Sequence, residues 1–197
     1  MKNFWHLCTQ LEVLQIHEAL FPEGLDTLPT PSEPFTRIKT LALLGLVSIT
    51  LQLAIMDHCP GLQSFRWDSD GDMPDKPFLS AFVQKVLMGT WPQLENLAIS
   101  SSFMTNEHLA NFLSGIQQIR SLKLADAGAF EHTTLQLLHR HFMHLKVLEL
   151  RFLSRFVGPL FQAILASCPL LEVLRAPWIQ ATDIVNGFAA RSSRSWI

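Results

Sequence analysis

Tyrosine is absent from the 197 residues, and cysteine occurs three times. The first absence removes the phenol as an acid–base catalyst. Cys8, Cys59 and Cys168 form no C-x-x-C pair and are odd in number, so neither a disulfide framework nor a zinc site is expected. Charge is sparse as well: Asp, Glu, Lys and Arg make up 16% of the chain, and the net charge is −2. The one basic cluster is Arg191 with Arg194, far short of the basic stripe that a nucleic-acid partner requires. Long apolar runs are missing too. The longest uncharged stretch, Thr40–Met56, has 17 residues and includes Gly45, Ser48, Thr50 and Gln52. A membrane span needs about 20 apolar residues. Met1–His6 carries no apolar signal-peptide core. These absences lead us to expect reduced thiols, a cytoplasmic or nuclear location, no membrane and no nucleic acid.

Catalytic signatures are also lacking. There is no G-x-S-x-G, no P-loop and no H-E-x-x-H. We therefore expect neither an enzyme nor a cofactor. The insertion Trp67–Pro77 holds Asp68, Asp70, Asp72 and Asp75, but Gly71 and Leu79 break the EF-hand pattern, so calcium is not expected. His139, His141 and His144 lack the spacing of a zinc helix. They read as cations placed favourably near a helix C-terminus.

What the chain does contain is a repeated motif, L-x-x-L-x-L, in seven copies with conservative replacements. The copies are Leu11, Leu14, Ile16; Ile38, Leu41, Leu43; Leu62, Phe65, Trp67; Leu94, Leu97, Ile99; Ile119, Leu122, Leu124; Leu145, Leu148, Leu150; and Leu171, Leu174, Ala176. First residues lie 24 to 32 positions apart. Such a period means one supersecondary unit stacked on itself. Three positions before each copy stands an apolar residue: Cys8, Phe35, Cys59, Trp91, Ile116, Phe142 or Cys168. Pro follows at Cys59, Trp91 and Cys168, which reads as a helix end, a turn and then a strand. Within Leu145–Arg151, Leu148 and Leu150 alternate with Val147, Glu149 and Arg151, as in a half-buried strand. Leu109, Phe112, Leu113 and Ile116 form the apolar stripe of a preceding helix. The expected fold is α/β: a solenoid with its parallel sheet on the concave side and helices outside.

Cys168-Pro169-Leu170-Leu171-Glu172-Val173-Leu174, with the similar Cys59-Pro60-Gly61-Leu62, resembles the cysteine-containing leucine-rich repeats of fungal F-box/LRR proteins. The resemblance covers about residues 4–180. It implies a horseshoe of about seven strand–helix repeats over residues 1–180 and an irregular tail over 181–197. It implies a protein-binding module, the substrate-recognition part of an SCF-type ubiquitin ligase. A Skp1-like adaptor would be engaged only through an F-box, which this sequence lacks. Solenoids need capped ends, and neither Met1–His6 nor Gly187–Ile197 reads as a cap, so a fragment or a shortened gene product is expected, with a complete small repeat protein with poor caps as the alternative. The eighth position after each first Leu holds Ala19, Leu46, Asp70, Ser102, Ala127, Leu153 or Ile179, where the family carries Asn or Cys. Irregular turns are expected there.

Strand residues between and just after the inward pair face the concavity. Among them, Arg66, Asp68, Lys123, Glu149, Arg151 and Arg175 are the candidate partner-binding residues, around small Ala42, Ala98, Ser100 and Ala125. Arginine is favoured there as a bidentate carboxylate ligand. Two alternatives stand beside this reading: a GTPase-activating protein offering Arg151 or Arg155, and a truncated product without activity.

Overall fold

The computed structural model describes residues 2–17, 31–45, 48–69, 76–125, 132–151, 158–176, 182, 184–187 and 189. Strands β1 (Val13–His17), β2 (Thr40–Leu44), β3 (Ser64–Asp68), β4 (Asn96–Ser100), β5 (Ser121–Ala125), β6 (Val147–Arg151) and β7 (Val173–Arg175) form one parallel sheet in chain order. Parallel neighbours require crossovers, and most of these are helical. Among the described residues the named helices are α1 (Lys2–Cys8), α2 (Ile49–Asp57), α3 (Lys76–Leu87), α4 (Asn106–Gly115), α5 (His132–His139) and α6 (Gly158–Ser167).

The motif explains the register. Its second residues pair strand to strand as Leu14, Leu41, Phe65, Leu97, Leu122, Leu148 and Leu174. Its third residues pair as Ile16, Leu43, Trp67, Ile99, Leu124 and Leu150. All of these except Leu174 are buried. A slip of one residue would turn every one of them to the opposite face, so the apolar pattern specifies the pairing. Just before the strands a second regularity runs through the backbone. The carbonyls of Glu12, Lys39, Gln63, Glu95, Arg120 and Lys146 each accept two N–H bonds from the next unit, as in Lys39 and Thr40 donating to Glu12 at 2.9 and 3.1 Å.

Helix ends are set by local chemistry. Ser48 caps α2, its hydroxyl accepting from the Leu51 N–H at 3.3 Å. Thr105 caps α4 and His108 completes the capping box: Thr105 Oγ1 accepts from the His108 N–H, and His108 Nδ1 accepts from the Thr105 N–H. Helix α3 stops before the turn expected at Trp91. Gly89, at φ 70°, supplies the left-handed residue, with Gly89 N–H bonded to Val86 and Thr90 N–H to Lys85. That is a Schellman ending, and glycine adopts it without Cβ strain.

Cys8, Cys59 and Cys168 form no disulfide and are buried, as their repeat position implies. The Cys59 Sγ–H donates to the Ile55 carbonyl at 3.2 Å. Burial first, and then the neighbouring Cys8, push the Cys59 thiol up to about 12. It is therefore not a nucleophile near neutral pH.

The irregular turns are partly visible. Of the eighth positions only Ser102 is described, in a turn; Ala19, Leu46, Asp70, Ala127, Leu153 and Ile179 lie outside the described residues. One position earlier, backbone bonds extend the sheet: Gly45 N–H to Asp68, Ser69 N–H to Ser100 and Ser101 N–H to Ala125. Main-chain pairing thus continues where a side-chain ladder is lacking. In the stretch expected to be an irregular tail, residues 184–187 are helical. A Cβ on Gly187 would come within 2.7 Å of Leu165 Cβ, so this turn packs directly on α6.

Candidate functional site

The sheet face opposite the helices carries the polar residues of the strands. In β3, Phe65 and Trp67 are buried while Arg66 is exposed between them. The buried Gln52 on α2 fixes Trp67, its Oε1 accepting from the indole N–H at 2.9 Å. Two rows follow from the register. One runs Arg66, Ala98, Lys123, Glu149, Arg175, and the other runs Asp68, Ser100, Ala125, Arg151. Strands lie about 4.8 Å apart, so β3 to β6 spans about 14 Å.

A cleft of about 330 Å³ lies across those four strands. Ala98, Ser100 and Ala125 line its middle, with Arg66 and Asp68 at one end and Lys123, Glu149 and Arg151 at the other. Five of the six candidate residues thus line one cleft. Arg175 joins them through Glu149, one strand further on.

Glu149 is the hub of the charged end. Its side chain is only 7% exposed, whereas those of Lys123, Arg151 and Arg175 are 47%, 60% and 64% exposed. Oε1 accepts from Lys123 Nζ at 2.9 Å. Oε2 accepts from Arg151 Nη2 at 3.3 Å and Arg175 Nη1 at 3.5 Å. The Lys123 hydrogen bond chiefly holds the Glu149 carboxyl below its ordinary range, with the Lys123, Arg175 and Arg151 charges helping against burial. The spacing carried a signal for this: Lys123, Glu149 and Arg175 occupy one register position in successive copies and alternate in sign. Opposite charges across adjacent strands attract. What the spacing did not reveal is that the carboxylate is buried and that both its oxygens are occupied.

Glu149→Gln keeps the shape but removes the charge that three cations share. We expect it to lower unfolding stability by about 1–2 kcal/mol, the exposed partners being screened by solvent. The check is a urea midpoint that shifts while the slope stays constant.

Arg66 approaches Asp68 only at 4.0 Å, with both side chains well exposed. Arg151, a candidate arginine for GTPase activation, hydrogen-bonds Glu149 while staying exposed, and Arg155 lies outside the described residues. The aspartate-rich insertion falls outside them at residues 70–75.

The histidine cluster divides, and one member corrects the reading of all three as cations at a helix end. His139 and His144 are exposed, but His141 is buried. Its Nδ1 accepts from the Ile119 N–H at 3.3 Å, and its Nε2–H donates to the Leu113 carbonyl at 2.8 Å. That pattern requires a neutral ring. Among the described residues, no group of three His, Cys, Asp or Glu side chains is arranged to hold a metal. None of the described helices is long and apolar enough to cross a membrane.

No protein-family model matches this sequence, and no curated protein matches it.

Proposed function

We propose that this chain is a leucine-rich-repeat solenoid that binds a protein partner on its outward strand face, the substrate-recognition repeats of an SCF-type ubiquitin ligase working in the cytoplasm or nucleus. The motif ladder, stacked strand on strand in chain order, supports the repeat reading. The observation that carries partner binding is the cleft across β3–β6, where small residues open a floor between charged walls. Long strand faces of this kind are used for partner recognition across repeat proteins. Adaptor contact would run through an F-box and not through the repeats, so the bare chain is expected not to capture a Skp1-like adaptor in a binding assay with the isolated pair.

The product of the chromosomal locus, tagged at its C-terminus so that any F-box preceding these repeats is retained, and purified under native conditions from its source cells, tests the reading, with Ala125→Trp as the comparison. The tryptophan would fill the cleft floor from a strand position that is not core. Specific partners, together with an adaptor and a cullin, are expected with the native sequence. Recovery of the partners should fall about tenfold with Ala125→Trp, the effect of losing about 1.4 kcal/mol of binding. Partners retained by the variant would remove the strand face as the binding surface. Absence of adaptor and cullin would remove the ligase assignment.

A further inference from the structure

We infer that the β3–β6 cleft takes an acidic, extended peptide segment of a partner, seated by carboxylates on Arg66 at one wall and on Lys123 and Arg151 at the other. The inference rests on the strand face being the partner surface and adds the chemistry of what binds there.

The charge balance of the site carries it. The chain as a whole has a net charge of −2. The site inverts that sign: the described lining of the cleft carries Arg66, Lys123 and Arg151 against Asp68 and Glu149, an excess of one positive charge, and Arg175, paired with Glu149 from the next strand, adds a second beside it. Both Glu149 oxygens already face cations of this chain, Lys123 on one and the two arginines on the other. Three cations share that single carboxylate, so they retain positive potential toward the cleft. Arg66 has only the 4.0 Å approach of Asp68.

Shape narrows the occupant further. The cleft, about 330 Å³ over a floor of small residues, has room for side chains of a segment laid across the strands. The cationic walls stand on β3 and on β5–β6, with small Ala98, Ser100 and Ala125 between them. Acidic side chains on an extended segment crossing the strands would reach both walls. Arginine matches carboxylates in bidentate geometry, and the half-open setting strengthens such contacts over those in bulk water.

The test is fluorescence anisotropy on the full chain at low salt. The probe is a labelled peptide with three consecutive glutamates in a glycine–serine frame. Saturable binding that weakens as salt rises is expected. Arg66→Glu should weaken it about tenfold or more, the scale of one charge-assisted contact. Arg66 is 59% exposed, so this variant is expected to fold. Glu149→Gln should tighten binding, because it frees Lys123, Arg151 and Arg175 from their shared carboxylate. A purely structural role for Glu149 would not produce that gain. The proposal is overturned if the peptide does not bind, if the glutamine counterpart binds equally, or if Arg66→Glu leaves affinity unchanged. Stronger binding of labelled single-stranded poly-uridine, with the same Arg66 dependence, would overturn the peptide assignment. Peptide failure alongside partner loss in Ala125→Trp would sink only the acidic chemistry. Partners retained in Ala125→Trp would sink the strand-face reading itself.

Discussion

Phe82→Ala is expected to lower unfolding stability by about 3–5 kcal/mol, the cost of emptying a packed aromatic site. The Phe82 side chain on α3 is fully buried. Its ring lies 4.7 Å from Phe65 on β3, 5.0 Å from Phe112 on α4 and 5.5 Å from Trp91 in the following turn. One ring therefore joins the sheet, two neighbouring helices and the turn that leads into β4. Each well-oriented aromatic pair adds about 0.5–1.5 kcal/mol beyond the area it buries. Alanine loses these contacts together, and rigid neighbours on three sides cannot collapse into the void. A domain of ordinary stability has about 5–15 kcal/mol in total, so this variant should unfold at a much lower urea midpoint. Phe82→Leu should lose well under half as much, since it keeps most of the volume. A shift below about 1 kcal/mol for the alanine variant would mean that this cluster does not hold the layers together.

The second large effect is expected at His141. Its imidazole bridges α4 and the approach to β5, accepting from Ile119 N–H and donating to the Leu113 carbonyl. His141→Ala leaves both backbone groups without their buried partner and opens a cavity. A loss of about 2–4 kcal/mol is expected, at about 1–3 kcal/mol for each buried polar group left unsatisfied. Burial chiefly pushes the His141 pKa below its ordinary 6.5, and the charges of Arg140 and His144 push it the same way, against the Leu113 hydrogen bond. The sign of the pH effect follows. With the folded pKa lowered, the unfolded chain binds the proton more readily, so stability rises with pH. The contribution of His141 is complete above about pH 6.5 and is lost as pH falls through the depressed folded value. A protonated Nδ1 would also face the Ile119 N–H, donor against donor. Stability of the native sequence should fall between pH 7 and pH 5, and His141→Gln should flatten that slope. Equal slopes in the two proteins would show that His141 does not titrate between the folded and unfolded states.

His141 also shows where sequence reading stops. Between Arg140 and Phe142, near the end of an apolar stripe, it is indistinguishable in sequence from the exposed His139 and His144. Its burial depends on the Leu113 carbonyl and the Ile119 N–H, 28 and 22 residues earlier in the chain. Gln52 is a parallel case. Its place in an apolar stretch agrees with its burial, but only the fold shows its partner, the Trp67 indole N–H, which donates to its Oε1. Gly115 is another: a Cβ there would meet Val86 Cγ1 at 2.8 Å, a closeness of α3 and α4 that no local pattern announces.

By itself the sequence determined the strands, their inward residues, the burial of the three cysteines and the six polar side chains on the opposite face. The reason is periodicity: a period of two assigns faces within a strand, and a period in the twenties assigns neighbours between strands. Tertiary structure alone decided that Glu149 is the shared, buried partner of three cations and that His141 is a neutral bridge. Each depends on distances between groups brought together by stacking, and a side chain's burial, charge state and partners are properties of that assembled neighbourhood.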